Sequence, residues 1–213
     1  MNSILTKLAV LCVVLMVAQA ASADVLWDQP NDPGWMMGWF NSESGSPPFG
    51  MTWHGANDVT VDGTWTVDSI TSYYSALDPG WGGAISQGYL HVFPKTGPLP
   101  SEDPTLSPVV PMTGVIVGGI FEVTASGLAL TLPPGEYWIG ITPVAPAGMM
   151  GPEIQIPSTM FLGNETVSYD VYGMPPGWFV FNPGMDAAML VQGTVAGTPV
   201  EETTWGSVKA MFR

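Results

Sequence analysis

Hydrophobic and polar positions alternate with a period of two along most of the chain, in short runs closed by glycine, proline, asparagine or aspartate. The clearest case is Val59-Thr60-Val61, then Asp62-Gly63, then Thr64-Trp65-Thr66-Val67. An Asp-Gly pair between alternating runs predicts a β-hairpin closed by a tight primed turn, because both residues tolerate positive φ. The alternation slips at Asp68-Ser69 and resumes through Ile70, Ser72 and Tyr74, which predicts a bulge. Further strands are expected at Ile85–Phe93, Val115–Thr124, Leu128–Leu132, Tyr137–Ile141, Thr166–Tyr172, Trp178–Phe181 and Ala187–Gly193. No stretch before residue 200 carries a helical period. About nine short strands at this spacing predict an all-β fold, an antiparallel β-sandwich of jelly-roll or immunoglobulin-like type.

The first residues follow a different pattern. Lys7 precedes an apolar run, Leu8–Ala18, and Ala21-Ser22-Ala23 supplies the small-x-small site that a signal peptidase accepts. The run is well short of the roughly 20 residues a membrane helix needs. The expected organisation is therefore a signal peptide at 1–23, one β-domain at 24–197, and a polar linker with a short tail at 198–213. Cleavage removes Cys12, the single cysteine, so no disulfide staples the remainder. No second apolar run reaches spanning length, and the expected product is secreted or held at the cell surface without a membrane span.

Composition narrows the partners. Four Lys+Arg against eighteen Asp+Glu give a formal net charge of −14, which argues against nucleic acid, since phosphate binding needs clustered cations. Only 10% of residues are charged, against about 25% in an ordinary domain. Nine Trp, six Tyr and eight Phe nonetheless supply material for a core. Two proline-rich stretches, 94–113 and 143–157, interrupt the strands and read as stiff crossovers.

Candidate chemistry is sparse. Pro-Gly turns precede Trp35, Trp81 and Trp178, so three indoles at loop ends either stack on sugar rings or plug the ends of the fold. His54 and His91 stand apart in sequence, with no Gly-x-Ser-x-Gly elbow beside them; His91 alternates with Tyr89 and Phe93 and reads as a structural histidine. Glu122 on the expected Val115–Thr124 strand shares an apolar face with Ile116 and Ile120, the one carboxylate placed to suggest acid catalysis. Oxygen ligands near Asp28, Asp32 and Asp58 suit calcium, although their spacing matches no EF-hand. In the tail, Trp205, Lys209, Phe212 and Arg213 belong to a short amphipathic segment with a cationic end, consistent with sorting or docking.

Leu26-Trp27-Asp28-Gln29-Pro30, Ala56–Val59, Gly63–Ile70, Leu130–Ile139 and Asp186–Gly193 together resemble bacterial exported β-sandwich proteins, a group that includes members sorted by a PEP-CTERM anchor. The chain lacks the Pro-Glu-Pro, membrane segment and arginine cluster of that anchor after Gly197. The resemblance implies export and a sandwich, and no catalytic residue. The expected function is a non-enzymatic module of the cell envelope or extracellular matrix with a structural or adhesive role, its partner a glycan or an envelope protein. A carbohydrate-binding module using exposed tryptophan and a glycan-active hydrolase are the alternatives.

Overall fold

The computed structural model describes residues 23–32, 39–44, 52–75, 84–146, 154–160, 166–172, 176–180 and 184–196. They form thirteen strands: β1 (Asp24–Gln29), β2 (Trp39–Phe40), β3 (Ser42–Ser44), β4 (Thr52–Val61), β5 (Thr64–Ser75), β6 (Gln87–Pro94), β7 (Val109–Val117), β8 (Ile120–Leu132), β9 (Gly135–Ala145), β10 (Ile154–Gln155), β11 (Val167–Asp170), β12 (Gly177–Val180) and β13 (Met189–Ala196). A single 3₁₀ turn occupies Pro104–Leu106. The all-β expectation holds. Among the described residues no helix is long and apolar enough to cross a membrane. Trp35, Trp81 and the tail residues Trp205, Lys209, Phe212 and Arg213 lie outside the described residues, as does nearly all of the expected signal peptide.

The architecture differs in detail from nine strands in two separate sheets. Hydrogen bonding runs through one curled mixed sheet in the order β1-β13-β5-β8-β7-β6-β9-β3-β4-β11-β12, a half-barrel in shape. Two pairings make it continuous and mixed. Strand β7 pairs with β8 through Met112–Val117 and with β6 through Val109–Pro111, so it bridges what would otherwise be two sheets. Strand β3 runs parallel to β9, whereas the other strand pairs are antiparallel.

Two turns also depart from expectation. Asp62-Gly63 does not close a hairpin: β5 is paired on both edges, by β13 and β8, while β4 pairs with β9. The two strands instead face each other through side chains, with Val59 and Val61 meeting Trp65 and Val67 in one core, and the Trp65 indole N–H donates to Asp62 Oδ1 at 3.2 Å. The tight hairpin lies at Gly118 and Gly119, with φ of 60° and 87°, which only glycine adopts freely in sequence. It divides the expected Val115–Thr124 strand between β7 and β8. The bulge at Asp68-Ser69 is present, opposite Gly127–Ala129 on β8.

The larger core sits on the concave face, where Val67, Ile70 and Tyr74 of β5, Phe121 and Val123 of β8 and Val191 of β13 meet Val59 of β4 and Ile139 and Ile141 of β9. A second cluster, Ala56, Phe93, Trp138 and Val167, packs on the opposite side of β4, β6 and β9, against Trp178 and Val180 of β12. These three strands are thus buried on both faces, which suppresses the polar alternation that one solvated face would impose.

Candidate functional site

The site arises where β7 changes partner. Before Met112 it leaves β8 for β6, and beyond Tyr89 on β6 and Ala125 on β8 neither strand has β7 beside it. The two strands part, and a cleft of about 630 Å³ opens between them. Leu90, Val92 and Phe93 of β6 and Leu130 of β8 form its apolar walls, and the crossover from 95 to 108 covers it as a strap carrying Glu102, Asp103 and Leu106. On the β8 side the bulge places Gly127 and Ala129 at φ of 70° and 48°; Ala129 is the one described non-glycine residue in the left-handed region. That conformation is costly for a residue with a Cβ, and it turns β8 at the edge of the opening.

The strap starts at Lys95, whose backbone N–H donates to Glu136 O and whose ammonium donates to Asp58 Oδ2, and it is tied down further along. The Leu90 backbone N–H donates to Pro108 O at 2.9 Å, continuing the ladder after β7 has ended. The Trp178 indole N–H donates to Glu102 O at 2.8 Å. Ser107 Oγ lies 2.9 Å from His91 Nδ1. Within the strap, Asp103 Oδ1 caps the 3₁₀ turn by accepting from the Thr105 N–H and hydroxyl.

Behind the cleft, protons can be assigned from one fixed donor. The Gly55 N–H points at Asn41 Oδ1 at 3.0 Å, which sets the orientation of the buried Asn41 amide; its Nδ2 donates to Ile141 O and Gln155 Oε1. Thr142 Oγ1 therefore donates to Asn41 Oδ1 at 2.7 Å, and its proton is used. Thr142 must then accept from His91 Nε2 at 2.9 Å, so His91 is protonated on Nε2, and Nδ1 accepts from the Ser107 hydroxyl. His54 Nδ1 faces the same Nε2–H at 3.2 Å and accepts, which leaves the His54 proton on Nε2, buried without a partner among the described residues.

Both imidazoles are neutral. Burial holds His54 down at about 4, against a smaller upward pull from Asp103. Burial lowers His91 well below the usual histidine range, and the neighbouring His54 adds to the effect. Tyr89 stacks on His91, and its phenol is pushed up to about 12 by burial and then by Glu43.

The residues singled out in the sequence fall in separate places. Trp178 is half-buried on β12, its ring packed edge-on by His91, Phe93 and Tyr169 and its N–H engaged by the strap. Asp28 is exposed on β1, Asp32 follows that strand, and Asp58 is buried on β4 with Lys95 Nζ at 2.7 Å from Oδ2. No group of three His, Cys, Asp or Glu side chains that could hold a metal ion occurs among the described residues. Glu122 shares its face of β8 with Ile120 but not with Ile116, which lies across the hairpin on β7; there Glu122 stands beside Tyr73, whose phenol is raised by burial and then by Glu122 and Asp28.

The site that does form was not among those candidates. His54 and His91 are brought together by β4 and β6 flanking β9, a tertiary fact with no local signal. The prolines at 94–113 were the available hint of the strap. No protein-family model, curated protein or solved structure matches this chain.

Chemically, the arrangement is a preformed apolar cleft with a polar anchoring network behind it. A cavity of this volume falls within the range of small-molecule sites, about 300–1,000 Å³. The Ser107–His91 pair shares the contact of a nucleophile with its base, but its electrostatics are poor for that work. An imidazole held far below neutrality has little basicity, and its far nitrogen faces a threonine where a carboxylate would be needed to stabilise imidazolium.

Proposed function

We propose that this chain is an exported, non-catalytic module of the cell envelope or extracellular space that works by binding an apolar ligand in the strap-covered cleft. The observation that carries the reading is the cleft itself: about 630 Å³ walled by Leu90, Val92, Phe93 and Leu130. Leu106 supports it, being 83% exposed at the rim of that cleft, where an occupant would cover it. Export rests on the Leu8–Ala18 run and the Ala21-Ser22-Ala23 site, and on the resemblance to exported β-proteins. Kinship with sandwiches belongs to the same reading, since β5, β8 and β13 meet β4 and β9 across one core as two layers would. Glycan binding through Trp178 has less support, because its ring already makes T-shaped contacts with His91, Phe93 and Tyr169 and its N–H is engaged by the strap.

A neutral solvatochromic dye such as Nile red tests the cleft. Its emission is expected to rise on mixing with the protein, and to rise much less with Leu130→Trp, which fills the opening, or with Leu106→Ser, an exposed change that leaves the core alone. Equal dye response in wild type and both folded variants would remove the cleft as the binding site.

A further inference from the structure

The lining of the cleft is mostly apolar and includes two carboxylates, the half-buried Glu102 and the exposed Asp103. Glu102 and Asp103 both line it, and both lie on the strap. Glu102 Oε2 accepts from the Ser101 N–H, and Asp103 Oδ1 accepts from Thr105; each carboxylate keeps a second oxygen with no hydrogen bond among the described residues. Among the described residues no cation neutralises them. Lys95 is the one Lys or Arg among the described residues, and its ammonium lies 2.7 Å from Asp58 and 5.1 Å from the centre of the Trp138 ring. The histidines behind the strap are uncharged, and the field of Asp103 reaches both His54 and Tyr169. Two uncompensated carboxylates beside low-dielectric walls focus a negative potential into the opening.

Resting on the reading of the cleft as the ligand site, we propose that its occupant is a cationic amphiphile, with an aliphatic body on Leu90, Val92 and Leu130 and an ammonium head between Glu102 and Asp103. A fatty acid of the same length meets like charge at that end and is rejected. The head group thus sets specificity, while the alkyl chain supplies the apolar contact.

Calorimetric titration of the full chain tests this with decyltrimethylammonium, decanoate and the neutral decyl maltoside, each below its micelle concentration. The ammonium is expected to bind about tenfold tighter than decanoate, through ionic attraction to the two carboxylates that decanoate meets as repulsion. Glu102→Gln combined with Asp103→Asn, the latter keeping a capping side chain, should erase that difference without weakening the maltoside. Leu130→Trp should abolish binding of all three. Decanoate binding as well as the ammonium overturns the head-group assignment and leaves the cleft in place. Ammonium binding that survives Leu130→Trp also overturns it, by locating the cation on the acidic surface. If none of the three binds, the cleft reading falls and the proposal with it.

Discussion

Strands β6 and β8 are held together at one end and apart at the other, and the two ends differ in kind. Where β7 lies between them, Met112 is 3% exposed and belongs to one closed core with Phe121, Val123 and Ala125. Where β7 is missing, side chains of the strap and a hydrogen-bonded histidine pair replace the backbone ladder. A third strand supplies directional bonds and close packing together. A strap supplies a few anchors and leaves volume, which is how one sheet acquires a cavity without a hole in its main core.

Acid should act on the open end most. His54 titrates near 6.5 unfolded and at about 4 folded, so it contributes stability above 6.5 that is lost as pH falls towards 4. Below 4 both states are protonated and the loss is complete. The shift corresponds to about 3 kcal/mol, and His91 acts in the same direction. Urea denaturation at pH 7 and at pH 4 should show this loss, and His54→Phe should reduce it. Amide exchange on falling pH should rise first at Leu90 and last around Val123. A variant retaining the full pH dependence would place the acid sensitivity elsewhere.

Truncation separates the two ends directly. Met112→Ala empties a closed site and should cost about 3 kcal/mol, whereas Leu130→Ala borders space that is already open and should cost about 1 kcal/mol. Denaturation midpoints measure both. Equal costs would mean that the cleft is packed as tightly as the core.

What could be read from the chain divides along similar lines. Period-two runs located most of β5, β6 and β13 and the middle of β9, because each has a face against the main core. The slip at Asp68 marked a real bulge, since alternation records which side each residue faces. The Asp62-Gly63 turn misled: a local turn propensity cannot show that both edges of β5 are taken by β13 and β8. Gly118-Gly119 was hidden inside a run of Val and Ile that reads as one strand. The partner change of β7 and the meeting of His54 with His91 depend on contacts far apart in sequence. Burial of β9 on both faces also removed the usual polar signal from Thr142. Hence the all-β character was legible, whereas the single curled mixed sheet and the site were not.

The smallest effect concerns the anchor of the strap. Ser107→Ala removes the hydroxyl that donates to His91 Nδ1 and leaves a buried acceptor unpaired, a cost of about 1 kcal/mol. Ser107→Thr keeps the donor and should restore most of it. Because Pro108 O accepts from the Leu90 N–H one residue along, loosening Ser107 should speed exchange at Leu90 while leaving amides around Met112 unchanged. Dye affinity should fall as well, since the strap forms one wall of the cleft. If Ser107→Ala leaves Leu90 protected and dye affinity unchanged, the serine–histidine contact is not what holds the strap, and the open end owes its shape to Trp178, the Leu90 ladder and the Lys95 contacts.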